Sequence, residues 1–292
     1  VHSGDSIAVY PANHRDESAR DQIVDYTTRL ALELNVRGMI NIQYVLYNGK
    51  IYVLEVNPRA SRTVPYMSKV TGIPMINLAT KVIMGRKLKE MGYEGGLYPE
   101  VGFVGVKAPV FSFAKLQQVD IALGPEMKST GEVLGVDASY PVALYKALLA
   151  SGVVFRRFGN ILVTVADKDK EEMLPIVKGF RSLGYSIYAT RGTADYLQKH
   201  GVAVTSVNKV HEGSPHIVDL LRQGEIHLVI NTLSRGKGPQ RDGFAIRRAA
   251  VELSVPCLTS LDTARAILEA LGNITDNSDF SVVPLQEYGT GN

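Results

Sequence analysis

The chain has 292 residues, of which 45% are hydrophobic and 21% charged. Such values are typical of soluble globular proteins and predict one to two domains with sizeable cores, and we expect two. The 32 Lys and Arg residues against 29 Asp and Glu residues give a net charge of +3. This small, scattered excess argues against nucleic acid or an acidic membrane surface as a partner and leaves small anionic ligands open.

Cysteine content and the first residues bear on the compartment. The single cysteine, Cys257, excludes an internal disulfide and is typical of a reducing compartment. No apolar run approaches the roughly 20 residues that a membrane-spanning helix needs. Residues 1–6 have neither the basic nor the apolar region of a signal peptide. We therefore expect a cytoplasmic protein, and the lack of an initial Met suggests a fragment or a processed product.

The first half of the chain predicts two helices, a β-hairpin and a Gly- and Pro-rich stretch. The hairpin signal is Asn48-Gly49-Lys50 between two β-rich runs, and the first helix stops before Gly38. The predicted elements are a helix over 15–34, strands over 39–47 and 51–56, a helix over 74–84 and a strand-like piece over 101–110.

After Ser151 the pattern changes to short apolar strands that alternate with amphipathic helices, which indicates a parallel sheet. Five such units make a complete small doubly wound domain. We place the domain boundary between Ala150 and Asn160, so the predicted domains are 1–150 and 151–292. The predicted strands are 161–165, 185–190, 202–207, 227–231 and 256–260, and the predicted helices lie near 170–183, 193–200, 215–222, 243–253 and 261–271.

Polar side chains lie on both arms of the predicted hairpin. Asn41 and Gln43 are on the first arm, Glu55 and Asn57 on the second. The register decides which of them meet, because side chains of a strand alternate between its two faces. A two-residue Asn48-Gly49 loop would point Gln43 and Glu55 apart. A three-residue loop that includes Lys50 would pair Gln43 with Glu55 and Asn41 with Asn57, and we predict that loop.

Oxygen ligands beside guanidinium groups suit Mg²⁺ and phosphate. Pro58 ends the second arm, so that Arg59 and Arg62 follow on a loop. The alternative is that this face of the hairpin is merely solvated, as the polar face of a two-layer antiparallel sheet normally is. The residues alone leave both interpretations open.

Three blocks of sequence resemble the large chains of carbamoyl phosphate synthases, and together they cover most of residues 1–150. They are Val1-His2-Ser3-Gly4-Asp5-Ser6, the run Val53-Leu54-Glu55-Val56-Asn57-Pro58-Arg59-Ala60-Ser61-Arg62-Thr63, and Gly124-Pro125-Glu126-Met127-Lys128-Ser129-Thr130-Gly131-Glu132. The resemblance implies an α/β chain in which the end of an ATP-grasp α+β domain precedes a small doubly wound domain. It implies an ATP-dependent ligase that phosphorylates carbamate to carbamoyl phosphate for pyrimidine and arginine biosynthesis.

The same resemblance implies roles for individual residues and partners. The expected cofactors are ATP, Mg²⁺ or Mn²⁺, and K⁺, for which Ser6 is a candidate although a serine beside a turn commonly caps it. The expected partners are the upstream half of the large subunit, which would complete the ATP site, and a glutamine-amidotransferase small subunit. We expect the chain alone to be inactive, with an exposed apolar patch around Gln43 and Glu55. The implied contacts are Val1, His2, Ser3, Gln43 and Glu55 for ATP, Gln43, Glu55 and Asn57 for metal, and Arg59 and Arg62 for carbamate or phosphate.

The second domain has its own candidate site, for an anion. Thr190 and Thr193 flank Gly192 where a predicted strand passes into a helix, and helix N-termini attract phosphate. Lys170, Lys209 and Asn231 lie near the ends of other predicted strands. The alternatives are that Thr193 only caps its helix and that the lysines are only solvated.

Residues 151–275, with the run 208–213, resemble the methylglyoxal-synthase-like regulatory domain that ends these large chains. The resemblance implies an effector site for a nucleoside monophosphate, UMP or IMP, formed by Lys170, Thr190, Thr193, Lys209 and Asn231. We expect no methylglyoxal formation, because Asn231-Thr232-Leu233 replaces the aspartate that would act as general base. The basic loop 234–241 could close over a phosphorylated ribose or could remain solvated.

Two departures limit the regulatory comparison. Leu233 stands where some bacterial relatives use a threonine for the nucleotide. Asp5 and Thr259 match the contacts of ornithine-activated relatives, but Ala108 and Cys257 do not, so ornithine is disfavoured as an effector. Two other hypotheses remain. One is a different ATP-grasp ligase, and the other is a stand-alone nucleotide-sensing module, which would leave Gln43 and Glu55 without a role.

Overall fold

The computed structural model describes residues 2–12, 16–113, 121–233, 242–274 and 282–288. Contacts divide the chain into two compact units, which we call the hairpin unit, Ala8–Lys107 with Val283–Asn292, and the parallel-sheet unit, Val1–Ile7 with Ala108–Val282. The chain passes from one unit to the other within a strand, so these contact units do not follow the predicted domains 1–150 and 151–292. The domain boundary near residue 150 stays a prediction.

The hairpin unit contains the predicted hairpin and the two predicted helices. The second predicted helix begins after Pro74 and ends before Met84, as its apolar spacing indicates. The strand Ala8–Tyr10 and the helix Thr63–Thr71 were not predicted. Its elements are β1 (Ala8–Tyr10), α1 (Glu17–Glu33), β2 (Asn41–Tyr47), β3 (Lys50–Asn57), α2 (Thr63–Thr71), α3 (Met75–Ile83) and β4 (Val104–Val110), the last of which continues into the parallel-sheet unit.

Local sequence signals set the helix ends. The Asp16 side chain accepts a hydrogen bond from the Ala19 amide at 3.0 Å and so caps the start of α1. α2, absent from the predicted elements, ends at Gly72, whose φ of 71° is the left-handed conformation that glycine adopts without strain. α2 was not predicted because its apolar pattern is short and directly follows Pro58 and the arginines, which are typical of a loop.

The hairpin corrects the predicted turn and keeps the predicted pairing. Asn48 and Gly49 have φ values of 48° and 72°, and Tyr47 pairs with Lys50, so the loop has two residues. The prediction of a three-residue loop is therefore wrong. The ladder shifts between Gln43 and Tyr44, which leaves Leu54 as the extra residue of a β-bulge. Beyond that bulge the cross-strand pairs are Gln43 with Glu55 and Asn41 with Asn57, as predicted.

The core of the hairpin unit forms where α2 packs on β4. β1 runs antiparallel to β4, with Val9 opposite Val106. The buried Tyr66 hydroxyl donates to the Gly105 carbonyl at 2.8 Å. A side chain at Gly105 would lie 2.5 Å from Val70 Cγ2, so only glycine allows this helix to approach the strand so closely.

The parallel-sheet unit contains the five predicted strands in one sheet with the order β10-β9-β6-β7-β8, and every paired neighbour is parallel. The predicted doubly wound domain is thereby confirmed. β5 and α4 were not predicted. The elements are β5 (Gly131–Asp137), α4 (Tyr140–Ala150), β6 (Asn160–Thr164), α5 (Lys170–Ser182), β7 (Ser186–Thr190), α6 (Arg191–Lys199), β8 (Thr205–Val207), α7 (Ile217–Arg222), β9 (Leu228–Asn231), α8 (Asp242–Glu252), β10 (Cys257–Leu258) and α9 (Leu261–Asn273).

Apolar strands with helices on both faces bury the core of this unit. Leu162 of β6 and Val229 of β9 are fully buried, and Ile217, Leu221 and Ile246 of the covering helices pack against them. Burial on both faces is why the strands read as continuous apolar runs rather than as alternating ones. Among the described residues, no helix is both long and apolar enough to cross a membrane.

Candidate functional site

The predicted metal ligands of the hairpin lie in direct contact. Gln43 Nε2 donates to Glu55 Oε1 at 2.5 Å, and Asn57 Nδ2 donates to the same oxygen at 2.9 Å. Glu55 is exposed, while Gln43 and Asn57 are half-buried. One carboxylate oxygen thus receives two amides on an open surface of the sheet.

The arginines follow where β3 ends. Arg59 Nη2 donates to Asn57 Oδ1 at 3.3 Å, and Arg59 Nη1 donates to the Ala60 carbonyl at 2.9 Å. Arg62 occupies the position that precedes the first residue of α2. The guanidinium of Arg59 thus lies beside Asn57, and Arg62 and the amino end of α2 follow along the chain, all of them positive groups that suit a phosphate.

The donor chemistry of this cluster fits a hard divalent cation. Glu55, Gln43 and Asn57 offer carboxylate and amide oxygens, the ligands that Mg²⁺ and Mn²⁺ take. Both amides now point their NH₂ groups at Glu55, and a half-turn of each amide would present its oxygen to the same place. A single carboxylate is typical of an ion that is also held by substrate phosphates. Among the described residues there is no cluster of three or more His, Cys, Asp or Glu side chains suited to a metal.

Large apolar side chains are exposed on both faces of the hairpin, and those on the face of Gln43 are Val45, Tyr47 and Tyr52. Tyr44 Oη contacts Thr27 Oγ1 of α1 at 2.8 Å, so the face of β2 that carries Tyr44 turns toward that helix. Gln43 lies on the other face. The exposed large apolar side chains of the hairpin are Val45, Leu46, Tyr47, Tyr52, Val53 and Leu54.

The predicted nucleotide contacts at the start of the chain belong to the parallel-sheet unit. His2 Nδ1 accepts a hydrogen bond from the Gly4 amide at 3.0 Å, and Ser3 begins a short 3₁₀ turn that ends at Asp5. Val1 lies outside the described residues. The Ser6 hydroxyl donates to the His2 carbonyl at 3.4 Å, which is the turn-capping role of a serine, and its role toward K⁺ stays a prediction.

Asp5 holds this turn. Asp5 is 3% exposed, and its carboxylate accepts hydrogen bonds from the amides of Lys128 and Ser129 at 2.9 and 2.8 Å. Burial alone would raise the pKa of Asp5, but the hydrogen bonds from Lys128 and Ser129 outweigh it and hold that pKa below the ordinary value. Two of the three sequence blocks, 1–6 and 124–132, thus meet in the fold.

The predicted effector residues gather at one edge of the parallel sheet. Thr190 ends β7 and Asn231 ends β9, and both are buried. Parallel strands bring their carboxyl ends to one edge, and Thr164, which ends β6, pairs directly with Asn231. The strand order reverses at β6, and such a reversal is where doubly wound sheets bind ligands.

Thr190 rather than Thr193 occupies the cap position of α6, and no side chain caps that helix. Thr193 lies in the first turn and is 3% exposed. The alternative in which Thr193 only caps the helix is therefore wrong. Among the described residues neither threonine hydroxyl caps α6, and the first amides of a helix are donors that an anion can accept.

Two lysines bring positive charge to this edge. Lys170 Nζ donates to the Gly192 carbonyl at 2.7 Å and pairs with Asp167 at 2.7 Å. The pKa of Asp167 is lowered by the hydrogen bond and charge of Lys170 and, more weakly, by the charge of Lys209. Both lysines therefore act on the same carboxylate, and an anionic ligand at this edge would meet the same two positive charges.

Arg247 is a functional candidate that the sequence interpretation missed. It is 7% exposed on α8, and its Nη1 donates to Asn231 Oδ1 at 2.9 Å, while Asn231 Nδ2 donates to the Thr164 carbonyl at 3.3 Å. The signal that could have revealed it is an arginine pair, Arg247-Arg248, in an otherwise apolar helix pattern. The predicted anion loop 234–241 lies outside the described residues.

Two family models match different parts of the chain. Residues 1–91 match the ATP-binding domain of the carbamoyl-phosphate synthase L chain, and residues 172–259 match the MGS-like domain. The chain resembles the C-terminal part of a carbamoyl phosphate synthase large chain. The hairpin cluster falls in the first match and Thr190, Thr193, Lys209 and Asn231 fall in the second, whereas Lys170 lies two residues before it. ATP-grasp domains bind ATP and typically divalent metals, and an ATP-dependent ligase follows at that general level.

Solved structures with similarity to parts of the chain include two carboxylases and a methylglyoxal synthase. The biotin carboxylase domain of a single-chain bacterial carboxylase is 20% identical over 49% of this chain and 39% of that one, with a TM-score of 0.40. A methylglyoxal synthase from Elizabethkingia anophelis NUHP1 is 20% identical over 39% of this chain and 79% of that one, with a TM-score of 0.33. A single-chain, multi-domain long-chain acyl-CoA carboxylase is 16% identical over 49% of this chain and 18% of that one, with a TM-score of 0.40.

Proposed function

We propose that the chain supplies the metal- and phosphate-holding part of a site in which ATP phosphorylates carbamate to carbamoyl phosphate. The observation that carries this proposal is the contact of Gln43 and Asn57 with one oxygen of Glu55. A face that was only solvated would need no such convergence. Arg59, joined to Asn57, extends the cluster toward a phosphate group.

Each residue has a role that follows from its chemistry. Glu55, Gln43 and Asn57 would hold Mg²⁺ or Mn²⁺, and the ion would neutralise charge on the ATP phosphates. Arg59 and Arg62 would stabilise the negative charge that spreads over the oxygens of the phosphoryl group during transfer. His2 and Ser3 are proposed nucleotide contacts. The hairpin residues thus act by position and charge rather than by moving a proton.

The partners follow from the same proposal. A preceding ATP-grasp half would complete the nucleotide site, and a glutamine-amidotransferase subunit would provide the nitrogen. The exposed apolar side chains of the hairpin, such as Tyr47 and Leu54, support contact with such a partner. Pyrimidine and arginine biosynthesis are the proposed pathways.

The test is calorimetric titration of the whole chain with ATP in Mn²⁺ and again in EDTA. The Glu55→Gln variant removes the charge and should weaken ATP binding in Mn²⁺ by at least about tenfold, with no change in EDTA. The control is Glu33→Gln, which removes an exposed carboxylate at the end of α1. ATP binding that is equal in the presence and absence of metal, or equal in the two variants, contradicts the metal role.

We propose further that the MGS-like domain binds a nucleoside monophosphate, UMP or IMP, as an allosteric effector. The supporting observation is the convergence of Thr190, Thr193 and Asn231 with two lysines at one sheet edge. Titration with UMP, IMP and ornithine should show saturable nucleotide binding that weakens by about 1 kcal/mol or more in Thr190→Ala and Lys209→Ala. No binding of either nucleotide to the folded chain would overturn this effector assignment.

The alternative of a nucleotide-sensing module without a synthase role makes a different prediction. It requires that Thr190→Ala abolish nucleotide binding while Glu55→Gln changes nothing. The synthase proposal requires two separable binding events, one dependent on Glu55 and metal and one on Thr190. Titrations of both variants with ATP and with UMP distinguish the two proposals.

A further inference from the structure

Helix α8 reaches two different parts of the parallel-sheet unit through consecutive arginines. Arg247 Nη1 donates to Asn231 Oδ1 at 2.9 Å, at the edge where the nucleotide is proposed to bind. Arg248 Nη1 donates to the Phe113 carbonyl at 3.4 Å. Neighbouring residues of a helix project about 100° apart, so a single rigid helix makes both contacts.

The first residue of α8 also contacts the proposed nucleotide site. Asp242 Oδ2 lies 3.1 Å from His211 Nδ1 in the short turn that follows Lys209. α8 is therefore joined to Asn231 through Arg247 and to the Lys209 turn through Asp242. A ligand that contacts both Asn231 and Lys209 would fix the position of α8 from two directions.

At its contact with Phe113, the Arg248 side chain is oriented by a neighbour on the same helix. The Arg248 side chain is 11% exposed, and its Nε pairs with Glu252 at 2.6 Å, one helical turn further along α8. Its acceptor, Phe113, is 8% exposed and stacks on Phe111 with ring centroids 4.9 Å apart. Because Glu252 orients the guanidinium, the hydrogen bond to the Phe113 carbonyl links the position of that carbonyl to the position of α8.

The segment 110–113 is the continuation of β4. The Thr130 amide, just before β5, donates to the Val110 carbonyl at 2.8 Å, and the Thr130 and Ser112 hydroxyls lie 3.0 Å apart. The segment is thus held by Thr130 and by Arg248. Its hydrogen bond from Arg248 joins it to α8.

We propose that Arg248 is a positioning residue that couples nucleotide occupancy of the MGS-like domain to the segment 110–113. A nucleotide that binds Asn231 better in one position of α8 favours that position, and Arg248 carries the shift to Phe113. The proposal rests on the proposed effector function. It assigns α8 and the end of β4 as the path by which that effector is felt.

The experiment is hydrogen exchange of the whole chain, followed in the peptide 108–113, with and without saturating UMP or IMP. In the native chain the nucleotide should slow exchange of this peptide by about fivefold. Arg248→Met keeps the apolar stem of the side chain and removes the donor. It should bind the nucleotide within about twofold of the native affinity and lose the change in exchange.

Two further variants keep the result interpretable. Arg248→Lys retains the charge and should restore part of the effect, and Glu252→Gln retains the Phe113 contact and should keep most of it. An undiminished effect in Arg248→Met, or nucleotide binding that leaves 108–113 unchanged in the native chain, overturns the coupling and leaves the effector site standing. Absence of nucleotide binding overturns the effector function and the coupling together.

Discussion

Gln43 Nε2 donates to Glu55 Oε1 at 2.5 Å across a hairpin whose turn alone would set these residues on opposite faces. Because Tyr47 pairs with Lys50, an unbroken ladder would pair Gln43 with Leu54. The bulge at Leu54 shifts the ladder by one residue and brings Glu55 to the face of the amides. The proposed metal site therefore depends on one irregularity of the backbone.

Asn57 joins the carboxylate to the first arginine, since it donates to Glu55 and accepts from Arg59. Asn57→Ala removes one proposed metal ligand and releases Arg59. We expect ATP binding in Mn²⁺ to weaken by at least about tenfold, as measured by calorimetry. Asn77→Ala, at an exposed position of α3, is the control and should leave binding unchanged. Native affinity in Asn57→Ala would remove this residue from the site.

Lys170 and Lys168 form a matched pair for a test of the proposed nucleotide site. The Lys170 side chain is 16% exposed and contacts Gly192 and Asp167, whereas the Lys168 side chain is 66% exposed. We expect Lys170→Met to weaken UMP or IMP binding by about tenfold, because one charge-assisted contact to phosphate is lost. Lys168→Met should change binding by less than about twofold, because an exposed charge contributes little. Equal effects in the two variants would indicate a general charge effect instead of a direct contact.

Gly135 marks the closest approach of β5 to α4. A Cβ at Gly135 would lie 2.2 Å from the Ala143 carbonyl oxygen and 2.4 Å from the Ala147 amide nitrogen, both of them backbone atoms. Gly135→Ala must therefore push the helix from the strand and should destabilise the unit by at least about 3 kcal/mol. Gly131→Ala, whose Cβ would meet Val110 at 3.7 Å, should cost less than about 1 kcal/mol. Urea unfolding of both variants checks the difference.

The parallel-sheet fold was predictable because its strands are buried on both faces and its helices are amphipathic. β9 and α5, for example, lie within two residues of the predicted strand 227–231 and helix 170–183. α4 was not predicted because almost all of its residues are apolar, so it lacks the alternation of an apolar and a polar face that identifies an amphipathic helix. Its buried residues include Ala143, Leu144, Ala147 and Leu148.

The candidate site residues also divide into those whose positions the sequence predicts and those whose positions it does not. The location of Thr190 and Asn231 at one edge of the sheet was predictable, because the carboxyl ends of parallel strands share one edge. The pairing of Gln43 with Glu55 was predicted for the wrong reason, since the turn sequence gives no sign of a bulge at Leu54. Arg247 was not predicted, because its contact with Asn231 depends on how α8 packs beside β9.

His227 predicts a loss of stability on mild acidification. Burial lowers the pKa of His227, and the nearby charge of Arg156 lowers it further, while Nδ1 accepts the Asn160 amide at 3.0 Å. The unfolded chain therefore binds more protons than the folded one below the ordinary value of 6.5, so stability should fall as pH falls below it. The fall in urea midpoint between about pH 7.5 and 5.5 should be smaller in His227→Gln. His200→Gln, at an exposed position, should behave like the native chain.

Asp5 should lower the stability of the chain at a more acidic pH than His227 does. Its folded pKa lies below the ordinary value of 3.8, so its contribution to stability is present above that value and is lost as pH falls through the folded pKa. Asp5→Asn offers one acceptor where two amides, those of Lys128 and Ser129, need acceptors. We expect a loss of about 1–3 kcal/mol at neutral pH, because one buried donor stays unpaired.

The pH dependence of the Asp5→Asn difference separates this carboxylate from a packing effect. Urea unfolding at pH 7 and at pH 3 measures the difference in free energy of unfolding between the native chain and the variant. We expect this difference to be smaller at pH 3, because Asp5 in the unfolded native chain then takes up a proton, which stabilises the unfolded state. Asp21→Asn, whose side chain is 72% exposed, should change stability by less than about 0.5 kcal/mol at either pH. A difference that stays constant from pH 7 to pH 3 would mean that the Asp5 carboxylate is not held in its charged form by Lys128 and Ser129.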